Sequence, residues 1–172
     1  MKIGLLSDTH SYFPEEILEH FTNVDEIWHA GDIGNADVLA RLKSFKALRA
    51  VYGNIDPQEI RKECPLDNVF EIEGLKVYMT HIGGYPGKYG ARAKAVILKE
   101  QPRLFISGHS HILKVIPDKQ LNLLHLNPGA AGREGFHKIR TLMRFAIADA
   151  KIYDLEVIEL GARALGTKSK IQ

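Results

Sequence analysis
The stretch LFISGHSH, Leu104–His111, decides how this chain is read. A short apolar run of strand length stops at Gly108. It then delivers two imidazoles, His109 and His111, one residue apart. Gly108 has no Cβ, so another backbone or a ligand can come close there. Four more stretches share the form. LLSDTH ends in Asp8 and His10, IWHAGD in Asp32, AVYGNID in Asn54, and VYMTHIGG in His81. Each is an apolar run that breaks at a small or polar residue and then presents a side chain able to bind a metal. In open α/β sheets, ligands bind beyond the carboxyl ends of the strands. Residues at several such ends are therefore expected to converge on one site. In extended chain, residues i and i+2 point the same way, about 6.5–7 Å apart. Strand alternation is thus expected to present Asp8 with His10, and His109 with His111, as pairs.

Outward from these ends, the first half of the chain alternates strand and helix. KIGLLS, DEIWHAGD and KALRAVYGN read as strands. PEEILEHFT carries Pro14 at a helix start with acids in the first turn. NADVLARLKSF shows helical spacing at Val38, Leu39 and Leu42, with Asn35 as N-cap. NVFEIEGLKVYMTH reads as two strands about a Glu73-Gly74 turn. GARAKAVILKEQP is a helix stopped by Pro102. Later stretches are mostly strand, including two about a tight turn at Asp149-Ala150. This order predicts an α/β domain with mixed sheets packed together. The expected organisation is one domain over 1–160 and a basic, Gly-broken tail, 161–172, expected to be frayed.

Composition narrows the class. The chain has 172 residues and 45% hydrophobic content, enough for one domain with a core. A net charge of +2 argues for neither nucleic acid nor membrane as partner. The single cysteine, Cys64, permits no internal disulfide. No apolar run is long enough to span a bilayer and the first residues lack a signal-peptide pattern. A cytoplasmic, reducing setting is the expectation.

Taken singly, a histidine at a strand end is more often structural, and Asp8 or Asp32 could be a cap or turn residue. Together, Asp8, His10, Asp32, Asn54, His81, His109 and His111 are too many ligands for one tetrahedral zinc, which takes four. They suit two divalent ions sharing a carboxylate, with open positions left for water and substrate. Imidazole, carboxylate and amide oxygen without thiolate favours Mn, Fe, Zn, Co or Ni over Mg or Ca.

The ordered motifs D-x-H (Asp8, His10), G-D (Gly31, Asp32), G-N (Gly53, Asn54), a strand-end His81 and G-H-x-H (Gly108, His109, His111) resemble the calcineurin-like metallophosphoesterase superfamily. LNPGAAG, Leu126–Gly132, is similar to the Asn-Pro-Gly segment of its small bacterial and archaeal phosphodiesterase branch. The resemblance implies two sheets packed face to face with flanking helices, a four-layer α/β/β/α sandwich. It implies Asp8, His10, Asp32 and His111 at one metal and Asp32, Asn54, His81 and His109 at the other, with Asp32 bridging. It further implies hydrolysis of phosphodiesters, and of activated monoesters, by a metal-bridging hydroxide, with Asp32 and Asn54 as catalytic residues. Self-association is common among such relatives, so a homo-oligomer is one expectation. The retromer scaffold subunit uses the same architecture for protein binding, which makes a non-catalytic scaffold the main rival. A nuclease is a weaker rival, because no arginine-rich stripe or aromatic platform appears.

Two positions depart from the wider pattern. Ile55 stands directly after Asn54, where many relatives carry a histidine able to protonate the leaving group. A general acid is worth about 10²–10⁴-fold, so esters of good leaving groups should be favoured. Asp56 reads better as a turn or supporting carboxylate than as a substitute. Ile82 follows His81 where the family often has Gly-His. The Gly-rich loop after it, HIGGYPGKYG, reads as flexible, with Lys88 and Arg92 as candidate substrate contacts. His29, His125 and Trp28 read as core or sheet residues, His20 as helix surface, and GREGFHKIRT as a solvated loop.

Overall fold
Both faces of the first strand are buried, and this sets the layering. The computed structural model describes residues 1–163. Its elements are β1 (Lys2–Leu6), α1 (Glu16–His20), β2 (Glu26–His29), α2 (Ala36–Phe45), β3 (Ala47–Ala50), α3 (Gln58–Glu63), β4 (Asp67–Ile72) and β5 (Leu75–Thr80). These are followed by β6 (Gly84–Tyr85), β7 (Lys88–Tyr89), α4 (Ala91–Glu100), β8 (Leu104–Ile106), β9 (Lys114–Asp118), β10 (Leu123–Asn127), β11 (Ile139–Ala148) and β12 (Lys151–Ala162).

Two mixed five-stranded sheets form, in the orders β12-β11-β1-β2-β3 and β4-β5-β8-β10-β9. β1, β2 and β3 run parallel, as do β5, β8 and β10, while β4, β9, β11 and β12 pair antiparallel with their neighbours. Alternation along β1 sends Ile3 and Leu5 into the layer between the sheets, with Trp28, Val77, Met79, Leu104, Ile106 and Leu126. Leu6 faces the opposite side, among Ile17, Phe21, Val38, Leu42 and Ile60 from α1–α3. On the outer face of the second sheet, Tyr78 and Phe105 pack with Ala93 and Ile97 of α4. The order is helices, sheet, sheet, helix, which is the expected four-layer α/β sandwich. Parallel strands buried on both faces read as continuous apolar runs. That is why LLS, EIW and LFI stood out.

The local signals behaved as chemistry requires. Asn35 Oδ1 accepts the Val38 N–H at 3.0 Å and caps α2. Glu73 and Gly74 both take left-handed φ (49° and 75°), the geometry of a tight hairpin turn. Asp149 and Ala150 do the same between β11 and β12. Trp28, His29 and His125 are fully buried. α3 was not foreseen, because only Ile60 of its six residues is buried and one apolar residue makes no period. The Gly-rich segment read as a flexible loop is instead a small hairpin, β6–β7. It is anchored by Gly90 N–H to Gly83 O (3.0 Å), Ser107 Oγ to Gly84 O (3.2 Å) and Tyr89 Oη to Asp118 (2.7 Å). β12 continues to Ala162, and residues 164–172, most of the expected basic tail, lie outside the described residues. Among the described residues, no helix is long and apolar enough to cross a membrane.

Candidate metal centre
The loops after β1, β2, β5 and β8 meet at one end of the two sheets and are stitched together by backbone hydrogen bonds. Asp8 N–H donates to Gly31 O, His10 N–H to Asp32 O and Gly108 N–H to His81 O, each at 3.0 Å. Gly132, from the Asn-Pro-Gly segment, donates to Asp8 O at 3.0 Å. The result is two clusters of potential ligands. Asp8, His10 and His111 form one, and Asp32, His81 and His109 the other; within each, ligand atoms lie within 4.8 Å of one another. Asp32 Oδ2 stands between them, 3.5 Å from His10 Nε2 and 3.2 Å from His81 Nε2. Asn54 is exposed and borders the same hollow as His81 and Gly53. The next residue, Ile55, donates its N–H to Asp32 Oδ1 at 3.1 Å.

The way the pairs converge differs from the expectation. Asp8 (φ 55°), His10 (47°), His109 (65°) and His111 (56°) are all left-handed, as is Asp32 (54°). These residues are therefore not in extended chain, and strand alternation does not bring them together. Left-handed φ in a non-glycine residue costs of order 1 kcal/mol each and clusters where function over-determines geometry. Here the turns curl the chain so that successive side chains point back into one pocket.

Several buried atoms in that pocket lack a partner. Asp8 Oδ1, His10 Nε2 and His81 Nε2 make no hydrogen bond. Asp8 Oδ1 faces three imidazoles, at 3.1 Å from His111 Nε2 and 4.0 Å from both His10 and His81 Nε2. His81 Nδ1 lies 2.8 Å from Ala30 O, so it carries the proton and leaves Nε2 as a bare lone pair. His111 is held by a bond to the Glu134 carbonyl. Unpartnered ring nitrogens and a carboxylate oxygen, gathered around two buried aspartates, are what a divalent cation requires. The donor set present fits the metals.

The electrostatics agree. Burial alone would push Asp32 up, but hydrogen bonding and charge from His81, with the Ile55 amide and His10, hold it below the ordinary carboxylate range. Burial works against charge on His81 and His111 as well. The adjoining carboxylates, Asp32 beside His81 and Asp8 beside His111, with the charges of both aspartates, nevertheless raise them. His109, further from the carboxylates, is lowered by burial and by His81. The pocket demands positive charge.

Apart from Asp56, the supporting residues escaped sequence reasoning. His29 Nδ1 accepts from Gly31 N–H (3.2 Å), so Nε2–H donates to Thr9 Oγ1 (3.0 Å), whose own proton goes to Ile33 O (2.9 Å). Burial lowers the His29 pKa to about 4, which keeps that relay neutral. Asp56 is buried and accepts from Gly34 and Gly53 N–H, both at 2.7 Å, which fits a supporting carboxylate. Asn127 Nδ2 donates to Gly108 O (2.8 Å) and Ser110 Oγ (3.2 Å), pinning the loop that carries His109 and His111. No periodic pattern marks such residues; their roles are set by neighbours distant in sequence.

Of the candidate substrate contacts, Arg92 borders the hollow of about 270 Å³ beside Asn54 and His81. Its guanidinium is paired with Asp67 and also donates to Thr80 Oγ1 (3.1 Å) and Ile82 O (3.3 Å). Lys88 is exposed on β7. The GREGFHKIRT segment is not simply solvated. The His137 ring meets His111 edge-on at 5.2 Å, and Arg140 is buried, bonded to Glu16 (2.8 Å) and Leu160 O (2.5 Å).

A sandwich of two mixed sheets with paired metal clusters at the strand ends defines a metallophosphoesterase architecture. Residues 1–150 match the calcineurin-like phosphoesterase superfamily domain, and the chain belongs to that superfamily. A probable metallophosphoesterase from Methanothermobacter thermautotrophicus is 34% identical over 137 residues, 76% of this chain and 77% of the relative. A phosphodiesterase from Methanocaldococcus jannaschii is 29% identical over 147 residues, 75% of this chain and 83% of the relative. Among solved structures, an archaeal phosphodiesterase superposes with a TM-score of 0.74 at 26% identity, covering 93% of this chain and all (100%) of that one. Vps29 of Entamoeba histolytica, solved with zinc, shares the fold with a TM-score of 0.71 at 17% identity, covering 92% and 99%.

Proposed function
We propose that the chain is a dinuclear phosphoesterase that hydrolyses phosphodiesters in preference to unactivated monoesters. The observation that carries this reading is the pair of ligand clusters with Asp32 Oδ2 between them, and atoms of Asp8, His10 and His81 left unpartnered among buried groups. Asp8, His10, Asp32 and His111 would hold one divalent ion; Asp32, Asn54, His81 and His109 would hold the other. Mn, Ni, Fe or Zn fits these donors. When bound, two such ions supply an activated water for in-line attack on phosphorus and screen the charge on phosphoryl oxygens.

The chain's own residues do the rest. Asp32, between the two clusters, would serve both ions. Asn54, exposed at the rim, orients the phosphate with its amide. Lys88 and Arg92 are the cations offered to the ester, Arg92 from the edge of the hollow that holds Asn54. No side chain able to protonate a leaving group follows Asn54, since Ile55 stands there, 43% exposed. That favours esters whose leaving groups depart without help. The same fold in Vps29 makes a protein scaffold the rival reading, and the complete ligand set argues against it.

The test is hydrolysis of bis-(p-nitrophenyl) phosphate and p-nitrophenyl phosphate by metal-stripped protein, with Mn²⁺, Ni²⁺, Zn²⁺ and Mg²⁺ restored separately. Turnover restored by metal, lost in His109→Ala and higher for the diester, is expected. Folded protein that turns over neither ester with any metal supports the scaffold instead.

A further inference from the structure
A second hollow, of about 190 Å³, opens beside His109 and shares Ile82 with the one lined by Asn54 and Arg92. It lies under the β6–β7 hairpin, against the ends of β8, β9 and β10, and its walls include Ile82, Tyr85, His109, Ser110, Lys114 and Asn127. It is smaller than a pocket for a whole drug-sized ligand. It suits one substituent of a molecule whose other end sits on the metal centre.

The chemistry of its walls is one-sided. No aspartate or glutamate lines it. Lys114 Nζ lies 4.4 Å from the centre of the Tyr85 ring, and among the described residues it has no carboxylate partner. Ser110 Oγ accepts from Asn127 Nδ2 (3.2 Å) and from Ile112 N–H (3.3 Å). Its own proton goes to no acceptor among the described residues. The hollow thus offers an ammonium and a hydroxyl proton, both uncommitted, next to a metal-centre histidine. The neighbouring hollow differs. Its arginines are engaged, Arg92 with Asp67, and Arg61 with the carbonyls of Asp56 (2.7 Å) and Asn54 (2.9 Å).

We propose that the hollow at Lys114 and Ser110 binds a second anionic group, a carboxylate or phosphoryl group carried on the substituent of the ester. The tether of the Tyr89 phenol to Asp118 at 2.7 Å fixes the hairpin, and Tyr85 places the lysine without neutralising it. The inference rests on the phosphoesterase reading for the position of the scissile phosphate. The substrate class becomes a phosphodiester with a negatively charged arm. A charge-assisted bond from Lys114 is worth about tenfold in affinity.

The experiment is calorimetric binding of three phosphonates to the Mn²⁺-loaded protein: 2-carboxyethylphosphonate, ethylene-1,2-diphosphonate and uncharged-tailed propylphosphonate. Wild-type protein should bind at least one charged-tailed probe about tenfold more tightly than propylphosphonate, and which one identifies the anion. Lys114→Ala and Lys114→Gln should bring the ratio close to one, while Lys151→Ala, at the distant β11–β12 turn, should keep it. Equal binding of all three probes by wild type, or a preference that survives both Lys114 variants, overturns the proposal. Hydrolysis of bis-(p-nitrophenyl) phosphate by the same preparation separates the two readings. Turnover without the preference removes the anion subsite alone, and the preference without turnover removes the phosphoesterase reading alone.

Discussion
Gly53 approaches Asp32 so closely that a Cβ on Gly53 would stand 2.0 Å from Asp32 Oδ1 and 2.4 Å from its backbone nitrogen. The backbone at Gly53 is therefore the wall against which the Asp32 carboxylate rests. Gly53→Ala cannot be absorbed by a flexible side chain, because one of the colliding atoms is backbone. It should cost about 1–3 kcal/mol of stability and reduce metal content at both clusters together. Thermal melting and metal analysis on one preparation check this. Wild-type metal content in a folded variant would show that Asp32 has room to move.

The two clusters should be separable by mutation. His111→Ala removes a ligand from the Asp8/His10 cluster and His81→Ala from the Asp32/His109 cluster. Each should lose about one equivalent of tightly bound metal, whereas Asp32→Ala should weaken both sites and abolish turnover while leaving the fold intact. Turnover retained by Asp32→Ala would end the bridging assignment.

Arg163 clamps the loop behind His111. Its N–H donates to Lys138 O (2.9 Å), its Nε to His137 O (3.0 Å) and its Nη1 to Arg133 O (3.3 Å). That loop supplies the Glu134 carbonyl bonded to His111 and the His137 ring against its edge. Arg163→Ala should weaken metal binding at the Asp8/His10/His111 cluster about tenfold and spare the other. Competitive metal titration resolves the two, and an equal loss at both sites would contradict a local role.

Ile55→His supplies a general acid where none now stands. The rate on esters of poor leaving groups should rise more than the rate on p-nitrophenyl esters, by up to about 10²-fold. Equal changes on both would show that leaving-group protonation does not limit the reaction.

His125 makes stability depend on acid. Burial, with Lys114 nearby, lowers its pKa from 6.5 to about 4, and the ring is fully inaccessible. The unfolded chain therefore binds a proton between pH 6.5 and 4 that the folded chain refuses. Its contribution is present above pH 6.5 and is lost as pH falls towards 4, for a total of about 3 kcal/mol. His125→Gln should flatten the stability curve across that window in urea melts. The slope that persists includes that of His29, which burial also lowers to about 4.

The strand ends could be read in advance because each joins two signals that survive without context. An apolar run of strand length marks a buried parallel strand, and a ligand-type residue just past it marks the functional edge. Asp8, Asp32, His81, His109 and His111 needed nothing more, and the order of their motifs pointed to the family. α3 and the β6–β7 hairpin were not legible, because elements this short have no period. Asp56 was legible as a turn or supporting carboxylate, but Asn127, His29 and Arg163 were not legible as supports, because a supporting residue is defined by what it touches.

The chain by itself thus determined the alternation of strands and helices, the ligand types and the number of strand ends that carry them. All of that is written in local hydrophobicity and residue chemistry. The tertiary structure alone decided that left-handed turns, not strand alternation, bring Asp8 to His10 and His109 to His111. It decided that Asp32 stands between two clusters, and that Lys114 and Ser110 face an acid-free hollow beside them. These are distances between segments far apart in sequence, and they exist only once the two sheets have packed and the backbone bonds between loops have closed.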